Sequence, residues 1–380
     1  MAKKIIGQTL LEIANAIESG EFGQKIRIGL TTLGSEHGVD NLVKGAHLAN
    51  SGLFEIVLIG PKVETDLEIV ETNCEEEMHK KMEELLDSGY LDACVTMHYN
   101  FPIGVSTVGR VITPARGREM IIATTTGTSA TNRIEAMVRN AISGIATAKS
   151  IGINNPTVGI LNLDGARVVE KCLRELQDNG YDFTFSDSIR ADGGCVMRGN
   201  DLLAGAPDVM VCDTLSGNIF MKVFSSFNTG GDYEAAGFGY GPGVGEDYHR
   251  RILILSRASG TPVVANALKY AYEVAKGNVN EVAKAEYASA KAAKLKDIID
   301  GVTKKESAPV EEVKMPDKEV VTHQISGIDV MDLDDAVVVL WKEGIYAESG
   351  MGCTGPIVLV NEAKGQLAVD TLLKAGYTAK

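Results

Sequence analysis

The run DVMVCD at residues 208–213 is the stretch that indicates most clearly how this chain folds. Four consecutive apolar residues are too few for a helix but suit a strand that is buried on both faces. Asp213 ends the run, and SGN at residues 216–218 then leads into a helix that carries Lys222. A buried strand followed directly by a helix is one βα unit of a parallel sheet.

The same order of strand and helix recurs along most of the chain. Helices are predicted at residues 10–19, 39–50, 74–87 and 168–179, and another begins near Arg133. This alternation predicts an α/β fold built from parallel βαβ units. The other apolar runs that we interpret as strands lie at residues 25–30, 55–60, 93–97, 120–123, 157–163, 251–255 and 262–265.

The predicted organisation is two α/β domains followed by a smaller C-terminal unit, because 380 residues are enough for two domain cores. The C-terminal unit is expected to hold a strand at residues 320–324 and helices at residues 333–343 and 362–374. Lysine, glutamate and proline before it give the composition of a linker. We assign residues 1–112 and 250–300 to the first domain, 113–249 to the second, 301–318 to the linker and 319–380 to the C-terminal unit.

Composition argues against several classes of function. The net charge is −14, whereas a nucleic-acid surface needs clustered lysine and arginine. The first seven residues lack the features of a signal peptide, and no apolar run is long enough to span a bilayer. The six cysteines lack CxxC spacing, which indicates neither a zinc site nor a dithiol redox site. We therefore expect a cytoplasmic protein with free thiols, no nucleic-acid or membrane partner, no metal and no cofactor.

The setting that best suits a reactive thiol is the run ESGMGCTGP at residues 348–356, where Cys353 lies among three glycines and a proline. Glycines let the backbone turn sharply, and successive N–H groups in such a turn can bind an anion. A thiol held there can ionise and carry an acyl group. The same pattern also fits a buried cysteine in a tight turn, and the residues alone leave both interpretations open.

The other cysteines are weaker candidates for catalysis. Cys94 and Cys212 lie inside apolar strands, where cysteine behaves as a small hydrophobic residue. Cys172 lies on a predicted helix and Cys74 in a charged stretch. Cys195, in the run DGGCV, is the one rival by local setting, and an acidic neighbour opposes ionisation of both thiols.

Polar residues follow several predicted strands, and sheets of this type bind ligands beyond the carboxyl ends of their strands. His37 and His98 are candidate general bases there, although each also suits a loop or capping role. The glycine-rich residues 228–245 match no nucleotide-binding motif, and they fit either a mobile flap over the cleft or a flexible connection between domains.

Phosphate is the ligand that residues 124–131 suit best, because their hydroxyls and backbone donors precede a helix. Thr128, Ser129 and Arg133 are the candidate phosphate ligands, and Lys222 is a further cation that can hold the anion. Simple capping of the helix explains the hydroxyls equally well. The two cations can likewise pair with surface carboxylates.

The chain resembles the phosphate acyltransferase family of phospholipid synthesis from about residue 26 to residue 277. The similarity rests on residues 45–46, 55–60 and 156–162, and above all on DVMVCD with SGN and Lys222. It implies the two-domain α/β/α fold of phosphotransacetylases and isopropylmalate dehydrogenases, with a cleft between the domains.

Over essentially its whole length the chain is similar to a narrower family, the alpha subunits of component C of the glycine/sarcosine/betaine reductase complex. The ESGMGCTGP unit, which the phospholipid enzymes lack, decides this resemblance. It implies that Cys353 is the acyl-carrying thiol. Component C would take a carboxymethyl group from the selenoprotein component A and convert it to an acetyl thioester. Attack by inorganic phosphate on this thioester would then give acetyl phosphate. The larger beta subunit is the implied partner.

Two other functions stay open. One is a phosphate acyltransferase of phospholipid synthesis that forms no covalent intermediate. The other is a non-catalytic subunit that stabilises its larger partner.

Overall fold

The computed structural model describes residues 25–191, 193–303, 313–326, 328, 333–352 and 355–377, together with Gly7, Ile13, Ala14 and Ile17. Most of the predicted helix at residues 10–19 and residues 304–312 of the predicted linker lie outside these residues. Among the described helices, none is both long and apolar enough to cross a membrane.

One twelve-stranded sheet forms the centre of the molecule. Its strands are β1 (Arg27–Thr31), β2 (Glu55–Gly60), β3 (Glu68–Glu71), β4 (Ala93–Thr96), β5 (Val105–Ile112), β6 (Glu119–Thr128), β7 (Thr157–Leu161), β8 (Thr184–Phe185), β9 (Val196–Met197), β10 (Val209–Val211), β11 (Gly241–Val244) and β12 (Ile252–Ile254). Their order in the sheet is β3-β2-β1-β4-β12-β11-β5-β6-β10-β7-β8, and β9 pairs with β7.

Helices cover both faces of this sheet. They are α1 (Gly38–Ala49), α2 (Glu75–Asp87), α3 (Arg133–Ser150), α4 (Ala166–Asp178), α5 (Gly199–Ala204), α6 (Thr214–Ser226), α7 (Thr261–Lys276), α8 (Val279–Ala292) and α9 (Leu295–Thr303). Successive strand residues enter different cores, so that in β2 Leu58 belongs to the core on the face covered by α1, α3 and α7, while Ile59 belongs to the core on the face covered by α2 and α6. The predicted α/β/α fold is confirmed, whereas the boundary between its two domains stays a prediction.

The middle of the sheet departs from the predicted parallel arrangement. Strand β5 is antiparallel to both of its neighbours, β6 and β11, and β11 is also antiparallel to β12. Residues 113–118 alone join β5 to β6, and this connection is too short for the crossover that a parallel pair needs. The chain therefore returns as a hairpin.

The glycine-rich segment supplies one of these central strands. Gly241 has a φ of 82°, and a Cβ atom there would lie 1.7 Å from the carbonyl oxygen of Val108. Only glycine fits so close to the neighbouring strand. For residues 241–244, both predicted roles, a flap and a connection, are therefore wrong.

Two further predictions of secondary structure are corrected. Residues 262–265 begin helix α7 and are not a strand; Pro262 fits the first turn of a helix, and Val263, Val264 and Ala265 are all buried. A short run that is buried all round carries no periodic signal to separate helix from strand. Strand β6 continues through residues 124–128, beyond its predicted end at residue 123.

The C-terminal unit has its own sheet and core. Its strands are β13 (His323–Ser326), β14 (Ala347–Gly352) and β15 (Gly355–Val360), with β15 in the middle, and its helices are α10 (Leu333–Lys342) and α11 (Gly365–Ala375). The first strand begins later than predicted. Leu333, Leu340, Val358 and Leu372 are fully buried in this core, and Ile103 of the main body packs against it.

Candidate functional site

A cavity of about 420 Å³ opens at the carboxyl ends of β4, β6 and β12, and we call it the cleft. Open α/β sheets bind their ligands at such an edge. The volume is that of a site for a small molecule. The polar and charged residues that matter for its chemistry include Glu36, His98, Asn218, Lys222, Tyr240 and Arg257.

The end of strand β14 reaches the same cleft. Met351 and Gly352, its last two residues, contribute to the lining, and Gly352 pairs with Gly355 at the start of β15. Cys353, the predicted acyl-carrying residue, lies outside the described residues, as does Thr354. The residues that directly precede Cys353 therefore border the cleft that His98 and Lys222 also line.

His98 is half-buried where β4 runs into the cleft. Burial lowers the pKa of its imidazole, electrostatic repulsion from His79 and Arg257 lowers it further, and the carboxylate of Glu75 offsets only part of this. The His79 ring lies edge-on to it, with centroids 6.1 Å apart. His98 is therefore neutral near pH 7 and able to accept a proton, as a general base must.

Lys222 is held at the cleft by a buried carboxylate. Its Nζ lies 3.7 Å from Oε1 of Glu234, whose side chain is only 4% exposed, and 5.7 Å from the centre of the Tyr240 ring. Glu234 also accepts hydrogen bonds from Ser259 Oγ at 3.0 Å and from the Tyr240 hydroxyl at 3.4 Å. A buried carboxylate with three partners fixes the side chains around it.

His37, the other candidate base, has a structural contact. Its Nε2 donates to the carbonyl oxygen of Ala258 at 3.2 Å, and its ring meets Tyr233 edge-on. The side chain is exposed and lines a separate cavity beside Lys44 and Tyr233. The structure thus places His98 in the cleft, whereas His37 contacts the loop that follows β12 and lines a different cavity.

Most hydroxyls of the threonine run are occupied inside the protein. Thr124 Oγ1 donates to the carbonyl of Thr107, and Thr125 Oγ1 donates to that of Tyr240 at 2.8 Å. Thr126 lies in the cleft lining. Asn132 caps helix α3, because its side chain accepts hydrogen bonds from the backbone N–H groups of residues 134 and 135. The alternative prediction that the threonines cap this helix is therefore wrong.

The three candidate phosphate ligands are not among the described residues that line the cleft. Thr128 is buried at the end of β6. Ser129 hydrogen-bonds Ser106 and lines a different cavity, where Glu135, Glu246, Asp247 and Asp334 make the surroundings acidic. Arg133 pairs with Asp213 at 2.5 Å, which fits the alternative of a carboxylate pair. Their role in binding phosphate stays a prediction.

The described cysteines other than Cys74 have buried side chains. Burial raises the pKa of Cys94 and Cys212 far above the usual range, and it raises that of Cys172. Burial and the neighbouring Glu170 raise the pKa of Cys195 to about 11, so this rival thiol is protonated at neutral pH. None of these cysteines lines the cleft.

Sequence reasoning missed Arg257 and Glu234. Arg257 lies in the run SRASG that follows an apolar strand, the same signal that drew attention to His98. The interpretation of residues 262–265 as another strand hid the βα unit that contains it. Glu234 carries no local signal, because its partners Lys222, Tyr240 and Ser259 lie on other elements and meet it only in the folded chain. The described residues contain no group of three His, Cys, Asp or Glu side chains suited to a metal.

Comparison with known proteins places the chain in a family. Residues 26–359 match the model of a family described as fatty acid synthesis protein. The chain is 68% identical over 381 residues to the alpha subunit of component C of the glycine/sarcosine/betaine reductase complex from Peptoclostridium acidaminophilum, and the match covers 99% of both chains. The chain belongs to this family of component C alpha subunits.

More distant relatives of this component C alpha family member include phosphate acyltransferases. The enzyme of Thermotoga petrophila is 28% identical over 235 residues, which is 52% of this chain and 67% of that protein. Among solved structures, the branched-chain phosphotransacylase from Enterococcus faecalis V583 covers 66% of this chain and 99% of its own, with a TM-score of 0.48 and 16% identity.

Proposed function

We propose that this chain is the acyl-carrying subunit of a glycine/sarcosine/betaine reductase complex, with Cys353 as the thiol that holds the acetyl group. Membership of the component C alpha family supports an acyltransferase role. The observation that supports the assignment to Cys353 is the position of Met351 and Gly352, the two residues directly before it, which border the cleft.

The proposed reaction on this chain is transfer of the acetyl group from sulfur to phosphate. An oxygen of inorganic phosphate attacks the thioester carbonyl, a C–O bond forms, the C–S bond breaks, and the electron pair leaves with the thiolate. Acetyl phosphate is released, and the thiolate recovers a proton. A thiolate is both a strong nucleophile and a good leaving group, so one cysteine can accept and surrender the acyl group.

His98 is the proposed proton acceptor for the Cys353 thiol. Its lowered pKa keeps the imidazole neutral at the pH at which the thiol must ionise. We propose component A, the selenoprotein, as the source of the two-carbon group and the larger beta subunit as the partner of this chain. No resident cofactor takes part in the step proposed here.

The test is replacement of Cys353 by serine in the assembled complex. Cys353→Ser should lower acetyl phosphate formation by about three orders of magnitude or more, because serine is a far weaker leaving group. Cys74→Ser is the matched control, since Cys74 is exposed at the start of α2 and far from any assigned chemistry. Circular dichroism should be unchanged for both variants.

Similarity to phosphate acyltransferases favours one alternative, transfer without a covalent intermediate. It would be supported if Cys353→Ala kept full activity on long-chain acyl thioesters. A non-catalytic role would be supported if the Cys353→Ser complex kept its full rate of acetyl phosphate formation. Both results contradict the proposal.

A further inference from the structure

We infer that Lys222 and Arg257 form an anion subsite in the cleft that binds inorganic phosphate, and that Glu234 positions Lys222 within it. The identity of the anion rests on the proposed function. The site itself is inferred from the charges, the hydrogen-bonded positions and the burial of residues to which family membership assigns no role.

The first argument is the local charge. The protein carries a net charge of −14, so an anion is repelled by most of its surface. The described side chains that line the cleft nevertheless include two cations, Lys222 and Arg257, against one exposed carboxylate, Glu36. His98 adds no opposing charge while it is neutral. The cleft is thus a place where a small anion is attracted.

The second argument is that the loop bearing Arg257 is fixed. Three successive carbonyl groups of residues 257–259 accept hydrogen bonds from outside the loop. Arg257 accepts from the Glu36 amide at 2.9 Å, Ala258 from the Glu234 amide at 3.0 Å, and Ser259 from Asn41 Nδ2 at 3.0 Å. A fixed backbone holds the arginine near its binding position before the ligand arrives, which reduces the entropy lost on binding.

The third argument is that Arg257 is free to receive an anion. Its guanidinium makes no ion pair with the described residues, whereas Arg133 pairs with Asp213 and Arg139 with Glu135. Its charge is close enough to His98 to lower the pKa of that imidazole. Guanidinium groups bind phosphate oxygens in a bidentate manner, and a lysine adds a point charge.

Glu234 explains how Lys222 is kept in place without being neutralised entirely. The carboxylate is 4% exposed, and its hydrogen bonds to Ser259 and Tyr240 use part of its capacity to accept. The Nζ of Lys222 lies 3.7 Å away and its side chain is 58% exposed, so donors remain for a ligand. Glu234 acts through Lys222 and is therefore a positioning residue.

The experiment measures binding of inorganic phosphate to the full-length chain by titration calorimetry and, separately, transfer of an acetyl group to Cys353. Arg257→Gln and Lys222→Gln should each weaken phosphate binding by about tenfold to a hundredfold, because each removes a charge-assisted hydrogen bond. Arg257→Lys should recover part of the loss. Arg116→Gln and Lys269→Gln, at exposed positions outside the cleft, should change nothing.

Glu234→Gln should raise KM for phosphate several-fold with a smaller change in kcat, which a purely structural defect would not produce. Unchanged phosphate affinity in both glutamine variants would contradict the subsite, as would a lack of phosphate binding by the unaltered chain. Weakened phosphate binding together with an unlabelled Cys353 would keep the subsite and overturn the proposed thioester. Labelled Cys353 together with unchanged phosphate affinity in the glutamine variants would keep the proposed thioester and overturn the subsite.

Discussion

At the scale of single residues, His98 shows how surroundings convert an ordinary side chain into a base. A histidine in solution is partly protonated near pH 6.5, and half-burial beside His79 and Arg257 moves its pKa below that value. The folded protein thus binds fewer protons at this site than the unfolded chain. The neutral form, which can accept a proton, is present at neutral pH and is lost as the pH falls through the lowered pKa.

The rate of acetyl phosphate formation should therefore rise with pH through a pKa below 6.5 and level off near neutrality. His98→Gln should lower kcat by about 10²–10⁴-fold and remove this acid limb. His249→Gln is the control, since that side chain is 74% exposed. The measurement is kcat across the pH range. If kcat of His98→Gln still fell at low pH in the same way, a residue other than His98 would be the base.

The position of His98 at the cleft was predictable from sequence because its signal is local, whereas its role as a base stays a prediction. His98 follows an apolar strand, and topology places such residues at the edge of a sheet where ligands bind. Glu234 could not be found in this way, because its three partners lie on α6, before β11 and after β12. A buried ion pair is recognised only when the elements are assembled.

At the scale of elements, helix α6 lies unusually close to the strand beneath it. A Cβ atom on Gly217 would lie 1.7 Å from the carbonyl oxygen of Thr124 and 3.1 Å from the sulfur of Cys212. Glycine therefore lets α6 approach β6, and this approach brings Asn218 and Lys222 to the cleft. The SGN run of the sequence therefore has a packing role.

Gly217→Ala should lower the free energy of unfolding by about 1–3 kcal/mol, because the methyl group forces α6 away from the sheet. Gly199→Ala is the matched control on helix α5, since a Cβ atom there meets nothing within 4 Å. Urea denaturation of both variants gives the comparison. Equal stability of the two would show that α6 can shift without cost.

The strands and helices were predicted well where the apolar pattern is regular. Strands β1, β2, β4 and β10 fall where apolar runs indicate them. The apolar pattern reveals neither the start of α7 nor strand β11, and the reason differs between the two. Residues 263–265 are buried all round and show no period, and β11 is rich in glycine because its neighbours leave no room for side chains.

At the scale of the whole molecule, the C-terminal unit stands apart with a core of its own. Its three strands pair with each other and not with the large sheet. It nevertheless touches the main body through Ile103 and through contacts between β14 and β6. This arrangement lets a unit with its own sheet and core present the end of β14 to a cleft formed by the larger part.

Leu340→Ala tests this independence. Leu340 is fully buried in the C-terminal core, and its truncation should cost about 2–5 kcal/mol there. Hydrogen exchange should accelerate across residues 333–377 and stay unchanged in β1, β4 and β6. Leu367→Ala, at a side chain 59% exposed on α11, is the control. Faster exchange in both parts would mean that they unfold together.

The layered α/β/α architecture was predictable because it follows from the order of strands and helices. The antiparallel centre of the sheet was not, since pairing between β5 and β11 joins residues far apart in sequence. The same limit applies to the cleft, whose lining comes from both ends of the chain.

The most direct test of the account is the mass of the full-length chain after incubation with isotopically labelled acetyl phosphate, followed by peptide mapping. The account predicts one labelled acetyl group on the peptide that contains Cys353, released by phosphate or hydroxylamine and missing in Cys353→Ser. The partner subunit is added in a parallel reaction. A Cys353 peptide that stays unlabelled in both reactions would contradict the thioester mechanism.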